Sequence, residues 1–146
     1  YTPKLNFNGT DQFRFVANDG TADSLVASVA VVVSPVADPP LAVADSYPRV
    51  SATTTLNVLS NDKSPDGKAL TIANNGLGGC QVFPAAGLVL PSGDKVMLNS
   101  ARTRFTFTPV NVPRGLNRAR NVSFSYCATD GTLNSSSAAV AVRIYR

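Results

Sequence analysis

Residues 15–33, FVANDGTADSLVASVAVVV, and residues 126–144, YCATDGTLNSSSAAVAVRI, say nearly the same thing twice within a chain of 146 residues. Each is an apolar alternating run, an Asp-Gly turn and a second alternating run, the pattern of a β-hairpin. A lone hairpin is marginal in water. The first copy, with Phe13, Phe15, Val29 and Val31 on its apolar face, therefore needs a cover.

The repeat extends beyond the hairpin. Phe13, Phe15 and Asp19-Gly20-Thr21 recur at one common offset as Phe124, Tyr126 and Asp130-Gly131-Thr132, whereas Tyr1-Thr2-Pro3 recurs as Phe107-Thr108-Pro109 at an offset shorter by five. The five additional residues of the later copy fall in VPRGLNRAR, residues 112–120. Such a period is one domain, well above the roughly 20 to 50 residues of a solenoid unit. Elsewhere TTTLNVL (53–59), ALTIA (69–73), KVMLN (95–99), RFTFTPV (104–110), VSFSYCA (122–128) and AAVAVRIY (138–145) alternate with period two. Gly, Pro, Asn and Asp separate them, and no window has helical periodicity. The expected fold is all-β, a Greek-key sandwich. Residues 1–34 read as the closing strands of one domain, 35–40 as a proline-rich linker carrying Pro35, Pro39 and Pro40, and 41–146 as a complete second domain.

Composition narrows the chemistry. The chain has no His, Glu or Trp, and all nine acids are Asp, most beside the small residues with which short carboxylates build turns. Without His the usual proton shuttle near neutrality is missing, and no nucleophile elbow, phosphate loop or metal cluster occurs; an enzyme is not expected. No apolar run approaches the roughly 18 residues of a membrane span and no signal peptide is visible, although a chain that opens in mid-repeat is expected to belong to something longer. Charge is lopsided: residues 1–40 carry two basic and four acidic residues, a balance of −2, and the remainder +6. Arg102, Arg104, Arg114, Arg118 and Arg120 stand close together in the sequence. They form a candidate anion site centred on loop 111–121, for which acidic glycans are the expected partner and nucleic acid is not.

The order VADPPLAVADSY, LNVLSNDKSPDGKALTI, FTFTPV and FSYCATDGTLNSSSAAVAVRI resembles the cadherin-like and bacterial Ig-like (VCBS-type) tandem repeats of large surface proteins and adhesins. That resemblance implies an immunoglobulin-like sandwich, an extracellular, non-catalytic spacer or adhesive module at a cell surface, wall or appendage, with neighbouring copies as partners and frequent stiffening by calcium. For calcium, which takes about six to eight oxygens, the candidate ligands are Asp38, Asp45, Asp62, Asp66 and Asp130. No D-x-D-x-D pattern occurs, and turn-forming roles are the leading reading, with no cofactor. In an extracellular domain the pair Cys80 and Cys127 is expected to be a disulfide, clipping the Gly-rich segment 76–80 on the side of the sheet away from Phe124 and Tyr126; an intermolecular bridge is the alternative. Candidate glycosylation sites are Asn8, Asn121 and Asn134. The functional expectation is a stalk or fibre module in a tandem array, with a glycan- or anion-binding adhesion module as the alternative.

Overall fold

A computed structural model describes residues 1–114 and 116–146; Gly115, in the basic loop, lies outside the described residues. The chain divides into two compact units, Tyr1–Ala37 and Asp38–Arg146, and each is described by itself.

The first unit is one antiparallel pair, β1 (Gly9–Phe15) with β2 (Ala27–Val33). Aromatic and β-branched residues favour the extended chain here. The strands are not joined by a tight two-residue turn, as the sequence pattern suggested. Residues 16–26 leave the ladder, close a small bridge between Asn18 and Asp23, and place Asp19-Gly20 at its tip. Phe13 remains 50% exposed and Phe15 48%.

The second unit is an all-β sandwich. One sheet has the order β3 (Asp45–Val50), β11 (Ala138–Ile144), β9 (Arg120–Tyr126), and the other the order β4 (Thr54–Leu56), β8 (Phe105–Thr108), β7 (Lys95–Leu98), β6 (Leu88–Val89). A short pair, β5 (Thr71–Ile72) with β10 (Ala128–Thr129), stands beside them. The chain crosses between the main sheets from β3 to β4 and again from β8 to β9. The cleanest alternation is in β11, where Ala138, Val140, Val142 and Ile144 are buried and the residues between them exposed, as expected of a strand covered on one face.

Between the sheets lie Leu56, Val96, Phe105 and Phe107 from one side and Phe124, Tyr126, Val140, Val142 and Ile144 from the other. Phe105 is the hub. Its ring is 4.5 Å from Phe83 and meets Phe124 edge-on at 5.2 Å and Tyr126 at 6.3 Å, geometries that add to the area buried.

Two elements differ from the sequence pattern. TTTLNVL leaves the strand after Leu56, because Val58–Asn61 form a 3-10 turn that drives Val58 into the core. Strand β3 was not foreseen, since Pro48 argues against a strand. It is accommodated at the sheet edge, in parallel pairing with β11, by a bulge: Tyr47 stands opposite Val142 and Val50 opposite Ile144, so Pro48 and Arg49 face the single Arg143.

Cys80 and Cys127 are bonded to one another, with Cα atoms 5.5 Å apart across 47 residues of sequence. With Ala73 they form a buried cluster separate from the main core, holding the Gly-rich segment to the end of β9. Cross-links closing loops of this size stabilise by about 2 to 4 kcal/mol. Replacing both cysteines by Ala is expected to lower the unfolding free energy of the second unit by about that amount in urea titration, with the sandwich retained by circular dichroism.

Candidate functional site

The repeat is geometric as well as textual. All seven pairs of β1 with β2, from Gly9–Val33 to Phe15–Ala27, recur in the same register in β9 with β11, from Arg120–Ile144 to Tyr126–Ala138. The turn recurs too. In the first copy the Ser24 amide donates to the Ala17 carbonyl at 2.8 Å, and the Ala17 amide donates to Ser24 Oγ at 2.9 Å. In the second, Ser135 and Ala128 make the same two bonds at 2.8 and 2.9 Å. Asp19 accepts from the Thr21 and Ala22 amides and Asp130 from those of Thr132 and Leu133, which holds both carboxyls below the ordinary range, Asp130 at about 2. Gly20 and Gly131 follow at φ +94° and +88°, conformations that favour glycine.

At this end of the second unit Tyr126 anchors a polar cluster. Its hydroxyl lies 2.9 Å from the Val58 carbonyl and 3.0 and 2.9 Å from the two carboxylate oxygens of Asp62. It has one proton for several acceptors, and burial, then the hydrogen bond to Asp62 and the charge of that carboxylate, pushes its pKa up. Asp62 also accepts from the Val43 amide at 2.8 Å, and the Asn61 side chain donates to the Val43 and Ala44 carbonyls. The segment entering β3 is thereby pinned to the 3-10 turn. Asp45 Oδ2 is buried there without a hydrogen-bond partner. Burial, then the nearby Asp62, raises its carboxyl to about 6.

The five arginines close in sequence are not brought together. Arg102 and Arg104 lie in the turn between β7 and β8, and Arg114 and Arg118 beyond the other end of β8, a strand of four residues and so roughly 14 Å long. Arg120 is engaged by the protein itself. Its guanidinium grips the fully buried Asp94 with two contacts, at 2.5 and 2.6 Å, and donates to the Val110 carbonyl. Burial acts to raise the Asp94 carboxyl, but Arg120, Ser92 Oγ at 2.6 Å and the Val110 amide at 2.8 Å hold it below the usual range. Sequence reading missed Asp94, since PSGDK resembles an ordinary exposed turn.

Of the carboxylates weighed for calcium, Asp62, Asp66 and Asp130 accept hydrogen bonds from the protein itself. Asp66 accepts from the Asp38 amide at 3.1 Å and lies 3.7 Å from Lys68 Nζ, which also bridges to Asp130 at 3.1 Å. Among the described residues no group of three or more His, Cys, Asp or Glu side chains is placed to hold a metal. Of the sequons, Asn8 and Asn121 are exposed. Asn134 departs from the open loop expected of it: its Nδ2, the atom a glycan would occupy, donates to Asn75 Oδ1 at 3.1 Å and packs 3.7 Å from Cys80 Sγ. No helix among the described residues is long and apolar enough to cross a membrane.

A family model described as "Bacterial Ig domain" matches residues 37–143. Comparison with curated proteins gives no significant match. Among solved structures the chain is similar to the endo-fucoidan hydrolase MfFcnA9 from glycoside hydrolase family 107, at 17% identity and a TM-score of 0.40, covering 97% of this chain and 23% of that one. The chain thus spans about a quarter of that enzyme's length, and a likeness of this size bears on neither fold nor activity.

Two outcomes are expected. Removing Arg120 leaves the Asp94 carboxylate buried and unpaired, so Arg120→Gln is expected to cost about 3 kcal/mol of stability in urea titration. Asp45 has a raised carboxyl, so the folded state holds its proton more tightly than the unfolded chain; its contribution is full below about pH 4 and lost as pH rises through about 6. Asp45→Asn is accordingly expected to raise the melting temperature at pH 8 and leave it nearly unchanged at about pH 3.

Proposed function

The chain belongs to the bacterial Ig domain family, and from that premise we propose that it is a structural module of an extracellular tandem array, a stalk or fibre unit of a surface appendage or adhesin. Members of this family are generally non-catalytic and commonly occur in extracellular or surface proteins. In this reading residues 1–34 close one sandwich and residues 41–146 form the whole of the next.

The observation that carries the proposal is the shared register of the two hairpins set against their unequal burial. Phe124 and Tyr126 are 8% and 0% exposed beneath the β4-β8-β7-β6 sheet, while their counterparts Phe13 and Phe15 are about half exposed. A hairpin with the same pairing and the same apolar face is suited to the same kind of cover, a sheet presenting residues like Leu56, Phe105 and Phe107. A neighbouring repeat of the same polypeptide or a second subunit supplies it, and either makes the module a link in a series.

One comparison of paired variants tests this. Phe124→Ala is expected to destabilise the second unit by about 3 to 5 kcal/mol, whereas Phe13→Ala, at the matching position of the first hairpin, leaves its unfolding unchanged. Amide hydrogen exchange across 9–15 and 27–33 should be fast in the isolated chain and slow across 120–126 and 138–144. Equal protection of both hairpins in dilute monomer would overturn the reading.

A further inference from the structure

The cationic face of this protein lies where the sequence does not display it. Arg49 near the end of β3, Arg143 near the end of β11, Arg146 just beyond it, and Arg114 in the loop before β9 come from three separate stretches of chain. Topology gathers them. β3 and β11 run parallel and finish together, the Tyr145 amide donates to the Val50 carbonyl at 3.2 Å, and the Arg146 amide donates to the Pro113 carbonyl at 3.0 Å, drawing the loop alongside. Arg114 and Arg146 line one shallow depression.

The bulge makes this arrangement specific. With Pro48 and Arg49 opposite Arg143, two like charges become cross-strand neighbours, a pairing that ordinarily destabilises a sheet. Both guanidiniums are held on one ring, Arg49 at 5.5 Å and Arg143 at 5.7 Å from the centre of Tyr145, within cation–π range. Among the described residues no carboxylate forms a salt bridge with Arg49, Arg114, Arg143 or Arg146. The acid built into this end, Asp94, is buried and already taken by Arg120. The result is a set of four exposed forks without a salt-bridged carboxylate, two of them, Arg49 and Arg143, preorganised on the Tyr145 ring.

We propose that this end of the sandwich binds an acidic polysaccharide, with Arg49 and Arg143 as the central pair and Arg114 and Arg146 extending the contact along the chain of anionic groups. Sulfate and carboxylate both suit a guanidinium fork. A nucleic acid fits less well: the Tyr145 ring already carries two guanidiniums and is not a free platform for bases, and no recognition helix occurs among the described residues. The inference does not rest on the tandem-array reading, since every residue in it belongs to the second unit.

The test is titration calorimetry of the whole chain with a heparin-derived oligosaccharide as the sulfated probe and an oligogalacturonate as the carboxylated one, with neutral dextran and single-stranded DNA of equal charge alongside. Binding to one or both acidic sugars, weakening with salt, is expected, and which sugar binds better identifies the anionic group. Arg49→Gln with Arg143→Gln should reduce affinity about tenfold or more, while Arg102→Gln with Arg104→Gln, an equal loss of charge elsewhere, should leave it within about twofold. Should the first variant fail to fold, Arg114→Gln with Arg146→Gln decides, with a several-fold loss expected. Absence of binding to both sugars, equal loss in the Arg102 and Arg104 control, undiminished binding in the folded test variants, or DNA binding as tight as the sugars overturns the proposal.

Discussion

The contact between the face of β9 and β11 and the opposing four-stranded sheet is the constraint from which the rest of the second unit follows. Phe124, Tyr126, Val140, Val142 and Ile144 leave water together because β9 and β11 share one register, and they meet Phe105, Phe107, Leu56 and Val96 across the interior. A one-residue slip would turn that set outward, so register and core are a single requirement. The first unit has the same register, with its aromatic face half exposed. Pairing is therefore encoded locally, by alternation and by the Asp-Gly tip, while stability depends on what lies opposite.

Two polar arrangements fix the ends of this core. At one, the Tyr126 hydroxyl reaches out of the apolar interior to Asp62, which also receives the Val43 amide, so the chain entering the domain is fastened to a core residue. At the other, Asp94 is satisfied by Arg120, Ser92 and Val110, joining the turn before β7 to the start of β9. Buried charge of this kind contributes little net stability relative to an apolar replacement, yet breaking it is costly. Its effect is to fix which loops meet which strands.

Much of this was legible in the residues. Alternation identified the long strands, the duplicated Asp-Gly stretch located the hairpins, and the constant offset from Phe13 to Phe124 and from Phe15 to Tyr126 anticipated a register that the backbone reproduces pair for pair. Strand β3 was hidden because Pro48 contradicts a regular ladder, and only a bulge against Arg143 resolves the conflict. The arginines misled for a related reason. Nearness in sequence grouped Arg102 and Arg104 with Arg114, Arg118 and Arg120, but β8 separates the first two from the rest and Asp94 claims Arg120. Arg49 and Arg143, far apart along the chain, become neighbours only through parallel pairing, which no local pattern announces.

That parallel pairing also sets how the second unit would meet tension. β3 is entered at Asp45 and β11 is left at Ile144, so the points where the chain comes in and goes out lie at opposite ends of two adjacent strands running the same way. Tension applied along the polypeptide would slide one strand past the other and strain their hydrogen bonds in concert. It would not peel them apart one by one. The response to extension would thus be set by strand order.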